Sequence, residues 1–286
     1  MRVRNFAAKI GHALLYEKFP SRRNLPVKKT DFTLKSVRRL TGDGNAAGDV
    51  YELVLSGDAS DISAPGQFVH IALPGRFLRR PVSVCCWSAE GITLLVKEAG
   101  AGTADLVRMG PGTRLDLLTG LGNGFDLTGL DTGRTVPGRI ILAGGGIGIA
   151  PLYGLAAALR ERGIISMAAL GFRSAADAFY LDEFAALGCT VSAATEDGSL
   201  GVRGFVTDLL TAAPERDYVF CCGPSPMLRA VHALPHLTGG QFSFEARMAC
   251  GFGACMGCSL PTADGMKRIC KDGPVFTREE ILWQET

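Results

Sequence analysis

The chain has 286 residues, 47% hydrophobic and 20% charged, with a formal net charge of +2. That balance excludes disorder as the main state, and the length suits two or three modules, each with its own core. No run approaches the 18 or more continuous apolar residues of a spanning helix, so a soluble chain without a membrane span is expected.

Residues 1–30 form a basic extension, with Arg2, Arg4, Lys9, Lys18, Arg22, Arg23, Lys28 and Lys29 against the single acid Glu17. The body keeps 22 of the 30 basic and 27 of the 28 acidic residues, a net of −5, which gives no electrostatic case for nucleic acid. The extension lacks an apolar stretch of signal-peptide length with a small-residue cleavage site, so secretion is not expected. Phe6, Ile10 and Leu14 have helical spacing among Arg and Lys. A solvated extension or a patch packed on a partner is read ahead of a targeting or membrane-surface helix.

Residues 31–135 show short apolar runs broken by Gly, Pro and Asp: "VYELVLSG", "GQFVHIALPG", "RRPVSVCCW", "GITLLVKEAG" and "TRLDLLTGLGNGF". Their regular spacing and period-two alternation predict an antiparallel β-barrel or sandwich. From residue 136 to 238 the rhythm changes. Strands "RIILAGG", "ISMAALGF", "TVSAATED" and "DYVFCCG" alternate with helices "IAPLYGLAAALRERG", "AFYLDEFAALG", "GFVTDLLTAA" and "SPMLRAVHAL". This predicts a doubly wound α/β module with its ligand at the carboxyl ends of the strands. Residues 239–286 are Gly- and Cys-rich with little apolar periodicity, a segment that needs a metal or cross-links to order.

Nine cysteines are an odd number, and the adjacent pairs Cys85-Cys86 and Cys221-Cys222 do not suit a disulfide framework. They argue for a reducing, cytoplasmic setting, with both pairs and Cys189 as core residues. The remaining four, Cys250, Cys255, Cys258 and Cys270, read C-x4-C-x2-C-x11-C. That opening is the plant-type [2Fe-2S] spacing, with a more distant fourth thiolate. Zinc is the alternative, but it favours two separated C-x2-C hairpins, and only Cys255 and Cys258 have that spacing. Gly251, Gly253 and Gly257 let the loop turn tightly, so that backbone N–H groups approach the sulfurs.

"LAGGGIGIAPL" leaves a strand and enters a helix at Pro151, with glycines that let phosphate oxygens reach backbone N–H groups at the helix start. It is not G-x-G-x-x-G, because position 149 is Ile149. "CCGPSPMLRA" ends the last strand of the module at the same edge, and the two turns frame a crevice suited to a nicotinamide dinucleotide. Taken alone, either turn could serve packing only. "LRRPVS" adds Arg79 and Arg80, whose planar forks suit a pyrophosphate, although an arginine pair is usually a solvated surface feature.

Taken together, "RRPVS", "GAGT", "GNGF", "AGGGIGIAPLY", "TEDGSLG", "CGPSPML" and "ACGFGACMGC…CKDGPVF" resemble the electron-transfer subunit of class 1B dihydroorotate dehydrogenase, a branch of the ferredoxin-NAD(P) reductase superfamily. The resemblance covers residues 31–283. It implies that Arg80, Pro81, Val82, Ser83, Leu95, Val96, Lys97, Gly102 and Thr103 bind FAD. It places the pyridine nucleotide against Gly144, Gly145, Gly146, Gly148, Cys222, Gly223 and Pro224. Cys250, Cys255, Cys258 and Cys270 would ligate a [2Fe-2S] cluster. The chain departs from the family where Val96-Lys97 replaces the usual Tyr-Arg, and where "TGLGNGF" replaces "GPLGNGF".

The resemblance also implies a function. NADH gives a hydride to FAD, and electrons leave singly through the cluster to the FMN of a separate dihydroorotate-oxidising subunit, in a heterotetramer of two of each chain. No substrate acid or base is expected within this chain. Glu245, five residues before the first cluster ligand, is read as either a hydrogen-bonding group near the site or a solvated carboxylate. Arg173 could meet a 2′-phosphate, and without an acid there NAD is preferred by resemblance only. Two other readings are a flavin/[2Fe-2S] subunit of ferredoxin-dependent NADP or sulfur reductases and a zinc-stabilised dinucleotide-sensing protein.

Overall fold

A computed structural model describes residues 26–42, 48–128, 130, 138–210 and 217–283. The expectations for residues 1–25, including the helical spacing of Phe6, Ile10 and Leu14, and the module boundary at 135/136 lie outside the described residues.

Six alternating segments form the first layer: β1 (Lys28–Arg39), β2 (Val50–Ser56), β3 (Phe68–Ile71), β4 (Arg80–Ser88), β5 (Gly91–Lys97) and β6 (Arg114–Leu121). They close as a barrel in the order β1-β2-β5-β4-β3-β6. Closure depends on the length of β1, which pairs with β6 through its first half and with β2 through its second, shifting register between Leu34 and Ser36. Inward residues such as Phe32, Leu34, Leu53, Val69, Ile71, Val84, Leu94 and Leu117 fill the interior. A short helix, α1 (Ala101–Val107), adds Leu106 and Val107 to that core.

The second layer is a sheet of β7 (Ile140–Gly145), β8 (Met167–Phe172), β9 (Thr190–Thr195), β10 (Val202–Arg203), β11 (Asp217–Cys222) and β12 (Leu237–Ser243). Its helices are α2 (Ile149–Glu161), α3 (Leu181–Ala186), α4 (Val206–Leu209) and α5 (Ser225–His232). β7 reads as one continuous apolar run because both its faces are covered. Ile140 and Leu142 join the core beneath α2 and α3, whereas Ile141 and Ala143 join the core beneath α4 and α5. The strand order β10-β9-β8-β7-β11-β12 reverses direction between β7 and β11, the switch point at which such sheets bind ligands. The helix expected over "GFVTDLLTAA" is described only as α4, since residues 211–216 lie outside the description.

The cysteine segment is not a separate body. β12, a strand the sequence hides behind Gly239 and Gly240, runs parallel to β11, so the boundary expected at 238/239 cuts through it. A hairpin of β13 (Ser259–Thr262) and β14 (Gly265–Arg268) leads to β15 (Val275–Thr277), which pairs antiparallel with β12. Cys258, Ile269, Cys270 and Phe276 then share one core with Phe242, Leu228 and Val231 of the α/β layer. A phenylalanine such as Phe276, 1% exposed, stabilises the docking by roughly 1.5–3 kcal/mol. The segment borrows the core it is too short to build.

Two contacts tie the layers together. Glu52 of the barrel takes a two-pronged ion pair from Arg38, at 3.0 and 2.9 Å, and a 2.9 Å hydrogen bond donated by Tyr180 at the start of α3. Asn123, in "GNGF", donates its side-chain amide to the Asp272 carbonyl at 3.0 Å and its backbone N–H to the Gly273 carbonyl. Asn123→Ala removes one of these bonds, at a cost of about 1 kcal/mol. The melting temperature is expected to fall by roughly 2–4 °C; an unchanged value contradicts the clamp.

Candidate functional site

Gly145 ends β7, and the chain makes a single 3-10 turn over Gly146–Gly148 before α2 begins. Gly146 has φ +54, a left-handed conformation that favours glycine. At Gly148 an added Cβ would lie 2.4 Å from the Cys222 carbonyl oxygen and 2.7 Å from the Gly223 α-carbon. The turns after β7 and β11 are therefore in backbone contact, which the smallest side chain makes possible. Gly144 is buried within β7, where a Cβ would meet Ile149 and Leu152.

Two clefts open on either side of this contact. The first, about 520 Å³, lies on the α/β layer between the ends of β8 and β9 and the start of α5, with Arg173, Asp177, Glu196 and Phe205 on its walls. The second, about 500 Å³, opens against the barrel and is lined by Pro81, Val82 and Ser83 of β4, Leu95, Val96 and Lys97 of β5, and Thr103 of α1. Lys97, Gly145, Gly146, Ile147 and Pro224 line both. Gly223 lines the second only, and Gly144, Gly148 and Cys222 line neither.

Arg80 and Gly102 also stand outside both linings, although each touches the other. A Cβ on Gly102 would fall 2.3 Å from Arg80 Nε, so the guanidinium rests on the first turn of α1. Thr103 braces that turn, its hydroxyl accepting from the backbone N–H groups of Ala99 and Gly100. Arg79 points elsewhere, pairing with Asp116 at 2.9 Å.

The far wall of the second cleft is the segment after β12: Ser243, Phe244, Glu245, Ala246 and Met248. Phe244 is tied down by donating its N–H to the Pro274 carbonyl at 2.9 Å. Glu245 is accessible from the cleft, yet its carboxyl pKa is raised by desolvation, with Lys97 pulling the other way. The structure places Glu245 on the cleft wall with its side chain exposed. In the first cleft, Arg173 is engaged by Asp177 at 3.1 Å, and Glu196 shares the wall. The expectation that no acid lies near Arg173 is corrected: Asp177 is four residues on, and Glu196 arrives from the end of β9.

Two residues beyond that wall comes the cysteine loop. Its sulfurs form two pairs: the Cys255 N–H donates to Cys250 Sγ at 3.5 Å, and the Cys270 N–H donates to Cys258 Sγ at 3.4 Å. Among the described residues no three His, Cys, Asp or Glu side chains converge on a point that could hold a single ion. Left-handed backbone at Gly251, Gly253 and Met256 winds the loop so that its amides turn inward. Burial acts to raise the Cys250 thiol pKa, but the N–H groups of Cys255, Phe252 and Ala254 together bring it down to about 6. Burial pushes Cys270 up to about 12, with the Cys258 sulfur adding to the rise. Cys255 is exposed, whereas Cys258 and Cys270 are buried. Arg268 fixes the frame by binding the Asp272 carboxylate at 2.8 and 3.1 Å and donating to the Gly253 carbonyl at 3.0 Å.

Four thiols in two pairs, wrapped by inward amides, are a donor set that fits an iron-sulfur group. Residues 245–282 match the model of the iron-sulfur cluster binding domain of dihydroorotate dehydrogenase B. The chain is 43% identical over 244 residues to the electron transfer subunit of dihydroorotate dehydrogenase B (NAD(+)) of Listeria monocytogenes, covering 82% of this chain and 94% of that one. The corresponding subunit of a Geobacillus species is 42% identical over 246 residues, with the same coverage.

The chain belongs to the dihydroorotate dehydrogenase B electron-transfer subunits. It is an oxidoreductase component with an iron-sulfur binding domain on a flavin-reductase fold. Its fold is also that of the NADH-dependent reduced ferredoxin-NADP oxidoreductase, at TM-score 0.76 and 27% identity, covering 88% of this chain and 89% of the other. The ferredoxin reductase of carbazole 1,9a-dioxygenase shares the fold alone, at TM-score 0.55 and 24% identity over 74% of this chain and 65% of that one. Among the described residues no helix is long and apolar enough to cross a membrane.

Sequence reasoning missed Phe68 and Ser243 as lining residues and gave His70 and Asn123 no role. "GNGF" was the only signal for Asn123, and a histidine inside an alternating strand gave none. In protein stripped of metal by chelation, an alkylating reagent is expected to label Cys250 and Cys255 first, while the buried Cys85, Cys86, Cys221 and Cys222 stay unlabelled. Labelling of Cys250 rises as pH climbs through about 6, because the thiolate forms above that value. Peptide mass mapping that finds the buried pairs modified first contradicts the assignment.

Proposed function

We propose that this chain passes electrons between NADH and a dihydroorotate-oxidising partner through FAD and a [2Fe-2S] cluster. The observation that carries this reading is the shared wall: Lys97, Gly145, Gly146, Ile147 and Pro224 face both clefts, and the second cleft ends on the segment that leads into Cys250. When bound, a flavin accepts a hydride as an electron pair and an iron-sulfur centre releases electrons one at a time. The division of labour follows the three segments: a flavin module near residues 31–135, a nucleotide module near 136–238 and a cluster module near 239–286.

Residues of this chain hold and orient these groups. Pro81, Val82, Leu95 and Val96 give a flat apolar bed, on which Ser83 and Lys97 offer a hydroxyl and a cation. Arg80, held over the first turn of α1 with Gly102 and Thr103, supplies a fork for a pyrophosphate. Gly145–Ile147 and Gly223–Pro224 approach closely enough for backbone N–H groups to meet the nicotinamide nucleotide. Glu245 lines the end of the cleft beside Lys97, its carboxyl pKa raised by desolvation and drawn back by that cation. Arg173 pairs with Asp177 at 3.1 Å, and Glu196 shares that wall; acids there support NAD over NADP. Cys250, Cys255, Cys258 and Cys270 ligate the irons.

The partner would be an FMN-containing dihydroorotate dehydrogenase catalytic subunit, two of each chain forming a heterotetramer in the cytoplasm, where thiolates stay reduced. The higher identity of the dihydroorotate dehydrogenase subunits, 43% against 27%, favours this partner over that of the ferredoxin-NADP oxidoreductase.

Co-purification followed by assay tests it. An FMN-bearing partner and dihydroorotate-dependent reduction of NAD+ that requires both chains are expected; a larger iron-sulfur partner with ferredoxin-dependent activity contradicts the proposal. Gly102→Ala, which drives a methyl into the Arg80 guanidinium, is expected to weaken flavin retention roughly tenfold or more through loss of a charge-assisted bond. Equilibrium dialysis of FAD reads that change, and unaltered retention removes Arg80 from the site.

A further inference from the structure

His70 sits on β3 between the flavin cleft and the cysteine loop, and neither region accounts for it. Its side chain is 0% exposed, and neither ring nitrogen has a hydrogen-bond partner of normal geometry. A buried imidazole without partners costs free energy unless it serves a group nearby. Two residues earlier on the same face of β3, Phe68 lines the second cleft. On the other side the ring meets the cluster loop: a Cβ on Gly251 would lie 2.4 Å from Nδ1 and 3.0 Å from Cε1. The ring faces the main chain of Cys250 and of Arg79. A neutral ring carries one N–H and one acceptor. Gly251, at φ +79, is the only loop residue between the first thiol and the exposed Phe252.

We propose that His70 is a positioning residue: its imidazole N–H is reserved for the main chain at Cys250–Gly251, and it seats the first cysteine of the cluster loop on the flavin barrel. The inference rests on the reading of the four cysteines as a cluster site. His70 acts through the main chain of the loop. By fixing the Cys250 peptide it sets which amides point at that sulfur, and amides aimed at sulfur tune an iron-sulfur centre. It also makes one packed path of the flavin wall at Phe68 and the loop at Gly251. A phenylalanine or leucine would fill the space without the N–H.

The test compares His70→Leu with His70→Asn in the full chain, two side chains of one shape that differ in the amide. Wild-type protein is assayed first for iron and sulfide; their absence there defeats the cluster reading itself. Given a loaded wild type, H70L is expected to lose its cluster to a chelator roughly 10- to 100-fold faster. Its reduced-cluster paramagnetic resonance is expected to be shifted and its cluster potential lower, with flavin content unchanged. H70N is expected to keep the wild-type resonance. Should H70L fail to fold, His70→Phe takes its place. An apolar variant with wild-type resonance, potential and cluster lifetime overturns the proposal, as does H70N with the shifted resonance of the apolar variant.

Discussion

The backbone contact between Gly148 and the Cys222 carbonyl is the constraint on which the rest of the structure depends. It brings the turns after β7 and β11 together at the one place where the sheet reverses its strand order. A side chain there would push the turns apart and separate the walls of the two clefts. With glycine, Ile147 and Pro224 stand between the clefts as a thin partition, and Lys97 reaches the same partition from the barrel. On the proposed function, a donor and an acceptor bound on its two sides would be held close, and positioning of this kind is the main contribution a protein makes to cofactor chemistry.

The same economy runs through the cysteine segment. Fewer than 50 residues cannot build a core, so β12 and β15 join the nucleotide sheet and Phe276 enters its apolar cluster. Asn123 then clamps the 272–273 carbonyls to the barrel, and Arg268 holds Asp272 and Gly253 in one frame. These bonds leave one sulfur pair near the surface and the other buried. The second cleft thus joins the first through their shared wall and ends on the segment that leads into the cysteine loop, where Cys255 is exposed.

Much of this was legible in the sequence because it rests on short-range pattern. The period-two runs of the barrel, the strand and helix alternation after Gly138 and the C-x4-C-x2-C spacing each follow from local geometry. What escaped depends on tertiary approach. "LTGGQFS" hides β12 because two glycines interrupt its apolar period, although they let it lie against Tyr218 and Val219. Glu245 and Ser243 have no motif of their own and become part of the cleft only because β12 delivers them there. His70 looks like an ordinary outward residue of an alternating strand, and only the fold reveals that its far side is covered by Gly251. Of the acids near Arg173, Glu196 was missed because it comes from a different strand, and Asp177 because only the turn after β8 brings it back to the guanidinium.

The central claim is that reducing equivalents enter at the partition and leave singly through iron held by Cys250, Cys255, Cys258 and Cys270. Electron paramagnetic resonance of the purified protein reduced anaerobically with NADH measures this most directly. The account predicts a paramagnetic signal from a reduced binuclear iron-sulfur centre, with iron and sulfide in equal amounts and the flavin absorption bleached. A silent spectrum from protein that contains zinc and no iron would contradict it.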